Sequence, residues 1–495
     1  MRYSQKSNAP CERGIILLMV LWVMIVLTLL GTSFFHLSSL DIQSSRNDLE
    51  KFQAELLADS AIHLAMSVLE KDSELGYHDL NSVWSGFEND FESVEFGAGL
   101  FRIYSDDLSE EGGTRYGLRD ESSKLNLNTA TKEMLEKLPG MTSEMAASIV
   151  DWRDSDDSET AGGAEREYYN NLDNPYDPRN APFQSVAELL QVKGFSPRIL
   201  YGEDANRDGV LQTAEDDGAE SDPPDNGDGK LDRGLLPYLS AFSYERNVNA
   251  EGEKRVNLNT ANNRVLRQRL EGKVSAENLR ILIRYRRNKK FENLGQLLTG
   301  EGIDKTEKEK AEGGRERSNS NRRNRSESRR GSRSQAETAT TQEGQAEDRE
   351  PSVASEAIAD TTHEGAILTF DEFRLAVDEL TLEDEETIAG RVNINTAPKE
   401  VLASLPGMTD PLAERIVERR SSDIGSFETI ADLATVEAMS RETFAGLLPY
   451  VSVRSTVFEA LAVGYLPGSQ AFASVEAYID WGASGSKIRY YRVIR

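Results

Sequence analysis

At 495 residues, with 38% apolar and 29% charged side chains, the chain is too long for one compact domain and fits about three. Its formal charge of −28 argues against non-specific nucleic-acid binding, which rests on neutralising phosphates, and agrees with calcium or basic partners. One cysteine, Cys11, and four scattered histidines (His36, His63, His78 and His363) rule out an internal disulfide and give no support to thiol or histidine–metal chemistry.

Residues 14–35 contain no charged side chain. As a helix rising ~1.5 Å per residue they are long enough to cross a hydrocarbon core of ~30 Å. The leader before them carries Arg2, Lys6, Glu12 and Arg13, so its loss would leave −30, and its positive charge places it on the cytoplasmic side. The apolar run is too long for a cleaved secretory signal, and no Ala-x-Ala follows it. A plain signal anchor fits. The Arg13-Gly14 junction also resembles the leader of the type IV pilin and pseudopilin class. That resemblance implies cleavage after Gly14 by a prepilin peptidase, methylation of Ile15 and retention of the helix in the inner membrane. Subunits of that class usually carry glutamate at the fifth mature position, where it is thought to pair with a neighbour's terminal amine; here the position is Met19. An unpaired glutamate in lipid is costly. A subunit without it has no need of a neighbour above, as expected of a tip.

Beyond the span a helical pattern continues to about Lys71, with Leu49, Phe52, Leu56, Leu64 and Val68 expected on one face. Residues 91–105 alternate in part (Val94, Phe96, Phe101, Ile103) and predict strands. An internal repeat follows. Lys124-Leu-Asn-Leu-Asn-Thr-Ala130, Arg255-Val-Asn-Leu-Asn-Thr-Ala261 and Arg391-Val-Asn-Ile-Asn-Thr-Ala397 each end a short strand and open a helix, with Asn or Thr available as cap. A hairpin glycine comes next (Gly140, Gly272, Gly407), then a second helix, then a segment led by Phe183, Phe291 or Phe427. Leu235-Leu-Pro-Tyr-Leu-Ser240 and Leu447-Leu-Pro-Tyr-Val-Ser452 close the first and third copies.

Each copy resembles a helix-hairpin-helix motif. In its nucleic-acid-binding form a second hairpin glycine brings backbone amides to a phosphate; here Thr142 and Thr409 stand in that place, and the middle copy also lacks the proline. A scaffold for protein contacts is therefore expected, and no nucleic-acid partner. The first copy adds Asp120-Glu121, Asp151-Trp-Arg-Asp-Ser-Asp-Asp157, Gly163-Ala-Glu165, Tyr168-Tyr169 and Arg179-Asn-Ala-Pro-Phe183. Together these resemble general secretion pathway protein K, the large minor pseudopilin of type II secretion systems. The middle copy and two inserts go beyond that family's usual pattern.

Residues 204–215 have the form of an EF-hand calcium loop. Asp204, Asn206 and Asp208 stand at positions 1, 3 and 5, Gly209 at the turn, Val210 offering its carbonyl and Glu215 at position 12. A weaker run, Asp225 to Asp232, offers Asn226, Asp228 and Asp232 but has Pro224 in the first ligand position. The family resemblance also implies calcium in the large globular part. Residues 300–365 are low-complexity and Arg-rich from Arg315 to Arg333, and too poor in apolar groups to offset chain entropy. From Thr456 onward alternation returns, which predicts antiparallel strands rejoining the first ones.

The expected fold is α+β: a leader (1–14), a transmembrane helix (15–35), a pilin-like helix with first strands (36–119), helical units at 120–240, 241–299 and 366–452 around the 300–365 insert, and returning strands at 453–495. The expected function, implied by the resemblance, is a non-enzymatic minor pseudopilin that starts and caps a periplasmic pseudopilus. Its partners would be other minor pseudopilins, the major pseudopilin, the prepilin peptidase and inner-membrane lipid. The alternatives are a membrane-anchored DNA-uptake protein and a calcium-dependent surface protein.

Overall fold

The computed structural model describes residues 12–71, 76–86, 91–106, 114–204, 211–213, 215–216, 218, 227, 229–300, 365–422, 424–469, 471–482 and 485–494. Glu12–Lys71 is one unbroken helix of 60 residues, about 90 Å long at the standard rise. From Leu17 to Leu40 its large side chains, such as Trp22, Leu30 and Phe34, are exposed. It is long and apolar enough to cross a membrane.

The far end of the helix lies on an antiparallel sheet. Strand order is Val94–Phe96, Gly99–Asp106, Val457–Tyr465, Phe472–Gly482 and Gly485–Ile494, with two short flanking strands, Thr114–Tyr116 and Arg119–Asp120. The C-terminal strands thus enter the sheet beside the first ones, Leu461 opposite Tyr104. The buried helix face is rich in small side chains (Ala54, Ala58, Ala61, Ala65, with Leu57, Ile62 and Leu69), set against Phe101, Ile103, Phe458, Ala462, Val475 and Ile479. Small residues allow close approach: a Cβ on Gly464 would fall 2.1 Å from the Ala54 carbonyl oxygen. The face expected from the larger residues is corrected accordingly. Leu49, Phe52 and Leu56 remain at least half exposed, and of that set only Val68 is fully buried.

Between Asp120 and Val457 the chain builds three helical units around one continuous apolar core. Each opens on a two-residue strand that pairs in parallel with the strand closing the same unit. The pairs are Leu125–Asn126 with Leu239–Ser240, Val256–Asn257 with Leu380–Thr381, and Val392–Asn393 with Val451–Ser452. The second unit therefore closes at Thr381, beyond the low-complexity run, and not at residue 299. Its closing residues, Asp378-Glu-Leu-Thr381, lack the Leu-Pro-Tyr landmark, so only the pairing reveals them. The ends of the run meet: a Cβ on Gly300 would lie 2.4 Å from the Gly365 carbonyl carbon, and the Ile367 and Leu368 amides both donate to Leu297. The run itself lies outside the described residues.

Candidate functional site

The repeated asparagines are clamps. In every unit the first Asn (Asn126, Asn257, Asn393) accepts the amide of the second through its side chain, at 2.8, 2.8 and 3.0 Å. The second then grips the backbone of the phenylalanine segment from both sides. Asn128 donates to the Phe183 carbonyl (3.1 Å) and accepts its amide (2.7 Å). Asn259 does the same at Phe291 (2.8 and 2.8 Å) and Asn395 at Phe427 (2.9 and 2.8 Å). An arginine from the second hairpin helix locks the strand end: Arg153 donates to Leu127 and Ala130, Arg286 to Leu258 and Ala261, Arg420 to Ile394. The second asparagine is thus not the helix cap; Thr131 and Asn262 are, in the first two units. At the hairpin, Thr142 spends its hydroxyl on the Met145 amide.

Buried ion pairs join the units to one another and to the sheet. Glu245, which follows the first unit, sits 2.7 Å from both Arg255 of the second and Arg391 of the third, and accepts the Ser452 hydroxyl. Burial pushes its carboxyl up, but the two guanidinium groups and the hydroxyl outweigh it and hold the pKa at about 2. Lys124 bridges Glu121 and Glu459, tying the first unit to the sheet. Asp120 accepts Thr396, Ser455 and Asn393, tying in the third. His78 packs on Phe458 and Trp481, and burial together with Arg454 lowers its pKa to about 4.

One cluster has unmet acceptors. Asp151 and Asp154, at the end of helix Ser143–Arg153, and Glu165 each offer a carboxylate oxygen, and these oxygens lie within 4.8 Å of one another. Asp151 is spent on the loop: it accepts the Thr160 (3.1 Å) and Ala164 (2.9 Å) amides. Gly163 is obligatory there, since its Cβ would fall 1.9 Å from an Asp151 oxygen, and Lys193 holds the Gly162 and Gly163 carbonyls from outside. Glu165 is 6% exposed, and both its oxygens, like one of Asp154, are buried without a hydrogen-bond partner among the described residues. Burial first, then Asp151, Asp154, Asp157 and Asp156, pushes its carboxyl up to about 7. Such a group takes either a proton or a cation. Oxygen-only donors fit a hard ion, calcium or magnesium. The sequence showed these acids as part of a family signature; what it could not show is that a loop folds Glu165 back onto the end of that helix.

The predicted calcium loops fare differently. Asn206, Asp208, Val210, Asn226 and Asp228 lie outside the described residues. Asp204 is buried 3.9 Å from Arg233, and Glu215 accepts the Gln212 amide. Asp232 is exposed; its carbonyl accepts the Glu203 amide and its side chain the Gly234 amide. Gly14 and Ile15 fall in the first turns of the long helix, and Met19 is exposed on its apolar surface.

A helix packed on an antiparallel sheet and carrying an inserted helix-hairpin-helix scaffold defines the class, and residues 388–452 match the helix-hairpin-helix motif. Residues 117–201 match the family described as type II secretion system (T2SS), protein K, so the resemblance read from the first unit holds over that stretch. A chain of the crystal structure of the GspK-GspI-GspJ complex from the enterotoxigenic Escherichia coli type 2 secretion system aligns over 91% of this chain and 99% of its own. Identity is 12% and the TM-score 0.43, a likeness too slight to carry an argument. No curated protein matches the sequence.

Proposed function

We propose that this chain is a minor pseudopilin that forms the tip of a type II secretion pseudopilus and starts its assembly with companion minor pseudopilins. The observation that carries the reading is the protein K match at 117–201, inserted in a sheet that rests on the far end of a membrane-length N-terminal helix. Leu49, Phe52 and Leu56, exposed above the span, suit packing of neighbouring helices. Met19 in place of glutamate suits a subunit with none above it, and the bulk of three helical units between Asp120 and Val457 would block further stacking. The role is mechanical, with the span in the inner membrane and the rest in the periplasm.

Calcium is proposed as a structural ligand of the first unit. Its support comes from the cluster of Asp151, Asp154 and Glu165, in which both Glu165 oxygens and one of Asp154 lack a hydrogen-bond partner among the described residues, more than from the 204–215 loop. Binding only to the folded state would stabilise a domain that has no disulfide.

The test of the main reading is the N-terminal residue of the protein from native membranes, by mass spectrometry. N-methylated Ile15 is expected. An intact Met1 would end the pseudopilin reading and leave a plain anchored protein.

A further inference from the structure

The middle unit is electrostatically unlike the rest of the molecule. Residues 255–299 hold eleven Lys and Arg against three Glu, a net +8, which leaves −36 for the remainder of the chain. Part of this charge is used internally: Arg255 pairs with Glu245, Arg269 and Lys273 with Glu379, and Arg286 with backbone carbonyls. Another part is not. Arg280, Arg284 and Arg287 are exposed at i, i+4 and i+7 of helix Ala276–Asn288, so they form one stripe, which Lys290 extends. Arg264 and Arg267 are exposed on the preceding helix, Asn263–Arg269. None of these six makes an ion pair among the described residues. Like charges at helical spacing repel one another, so the folded unit keeps this stripe against a local cost.

We propose that the stripe Arg280–Arg284–Arg287 is a docking face for an acidic protein surface. Two observations favour a protein over a nucleic acid. First, the hairpin donors that would meet a phosphate are already taken by a carboxylate of this chain: Glu372 accepts the Ser275 amide at 2.8 Å and the Asn278 side chain at 2.5 Å. Exposed Glu271 and Glu277 add negative charge at the same end. Second, Val265, 47% exposed, stands between Arg264 and Arg267, an apolar contact that suits a protein surface better than a phosphodiester backbone. Guanidinium groups match carboxylates two bonds at a time, which gives the face geometric selectivity beyond bulk charge. The inference does not depend on the pseudopilin reading.

The test uses the full chain in detergent at physiological salt, titrated separately with fluorescent poly-L-glutamate, a short DNA duplex, and vesicles containing anionic lipid. Poly-L-glutamate should bind best. Arg280→Glu, Arg284→Glu and Arg287→Glu together should weaken it at least roughly tenfold, a coupling of about 1.4 kcal/mol or more. The triple lysine variant, which keeps the charge and any fold, should weaken it less. Tighter binding of DNA or vesicles would overturn the proposal. So would unchanged poly-L-glutamate binding in the glutamate variant, since the Arg-rich run at 315–333 would then be the binder. A photocrosslinker at exposed Gln268 in the native cells gives an independent reading. It should capture an acidic peptide segment, lost in the glutamate variant; capture of a neutral or basic segment, or none, counts against the proposal.

Discussion

The first and second helical units share one skeleton and carry opposite chemistry. Arg153 and Arg286 lock the same strand end in their respective units, which fixes the alignment of the two helices. By that alignment Asp151 and Asp154 of the first unit occupy the positions of Arg284 and Arg287 in the second. In the first, a loop folds over these positions and brings Glu165 to make an acidic pocket. In the second, the chain runs directly on to Phe291, none of the described residues covers the helix end, and Arg284 and Arg287 are exposed. The clamp positions are set by packing and hydrogen bonding, and the positions between them are free to diverge. A repeat therefore conserves its fold at the asparagines and its function elsewhere.

That division can be broken in several ways. Glu245→Ala should have the largest effect, because it leaves Arg391 buried without its anion and Arg255 with Asp378 alone; a loss of about 3–5 kcal/mol is expected in urea unfolding. Little change would mean the units are held by apolar contact alone. Asn128→Ala and Asn259→Ala should each cost about 2–3 kcal/mol by leaving a phenylalanine amide and carbonyl unpaired. If the skeleton is truly shared, the two losses should agree; a wide gap would sink the equivalence.

Calcium should separate the units. At roughly thirty times Kd it should add about 2 kcal/mol to the wild type by mass action, and nothing to Glu165→Gln or Asp154→Arg. The pH dependence has a definite sign. Glu165 has a folded pKa raised to about 7, so without calcium its contribution is fully present below the unfolded carboxylate value and is lost as pH rises through 7. Calcium displaces that proton, so its added stability should grow across the same window. A calcium effect that is flat with pH, or that survives Glu165→Gln, would move the ion to another site. The smallest loss is expected from deleting residues 301–364. Gly300 and Gly365 already touch, so the cut ends can be joined without loss of stability, and the shorter loop costs less closure entropy. A large loss would show that the run takes part in the fold.

Much of the frame was legible beforehand. The apolar run gave a helix long and apolar enough to cross a membrane, and alternation after Thr456 gave the returning strands, because both depend on the pattern of one segment. The repeated Asn-x-Asn landmarks gave the helical units. The large side chains of the long helix do not mark its packed face, because close contact with the sheet selects alanines and Gly464. The end of the second unit is invisible in local pattern because its closing strand is identified by a partner more than a hundred residues away. The acidic pocket is invisible for the same reason: Asp151 and Glu165 look like separate acids until Gly163 lets the loop close over them.

The sequence by itself determined the main segments: one apolar helix, strands at both ends of the insertion, and three copies of a clamp. These follow from local pattern, since side-chain period and turn residues act over a few positions. Only the tertiary structure decided which acids and bases meet. The Glu245 junction, the pairing across the low-complexity run, and the contrast between a covered acidic pocket and an open basic stripe all join residues far apart in the chain. Their energies depend on burial, and burial belongs to the assembled fold rather than to any segment of it.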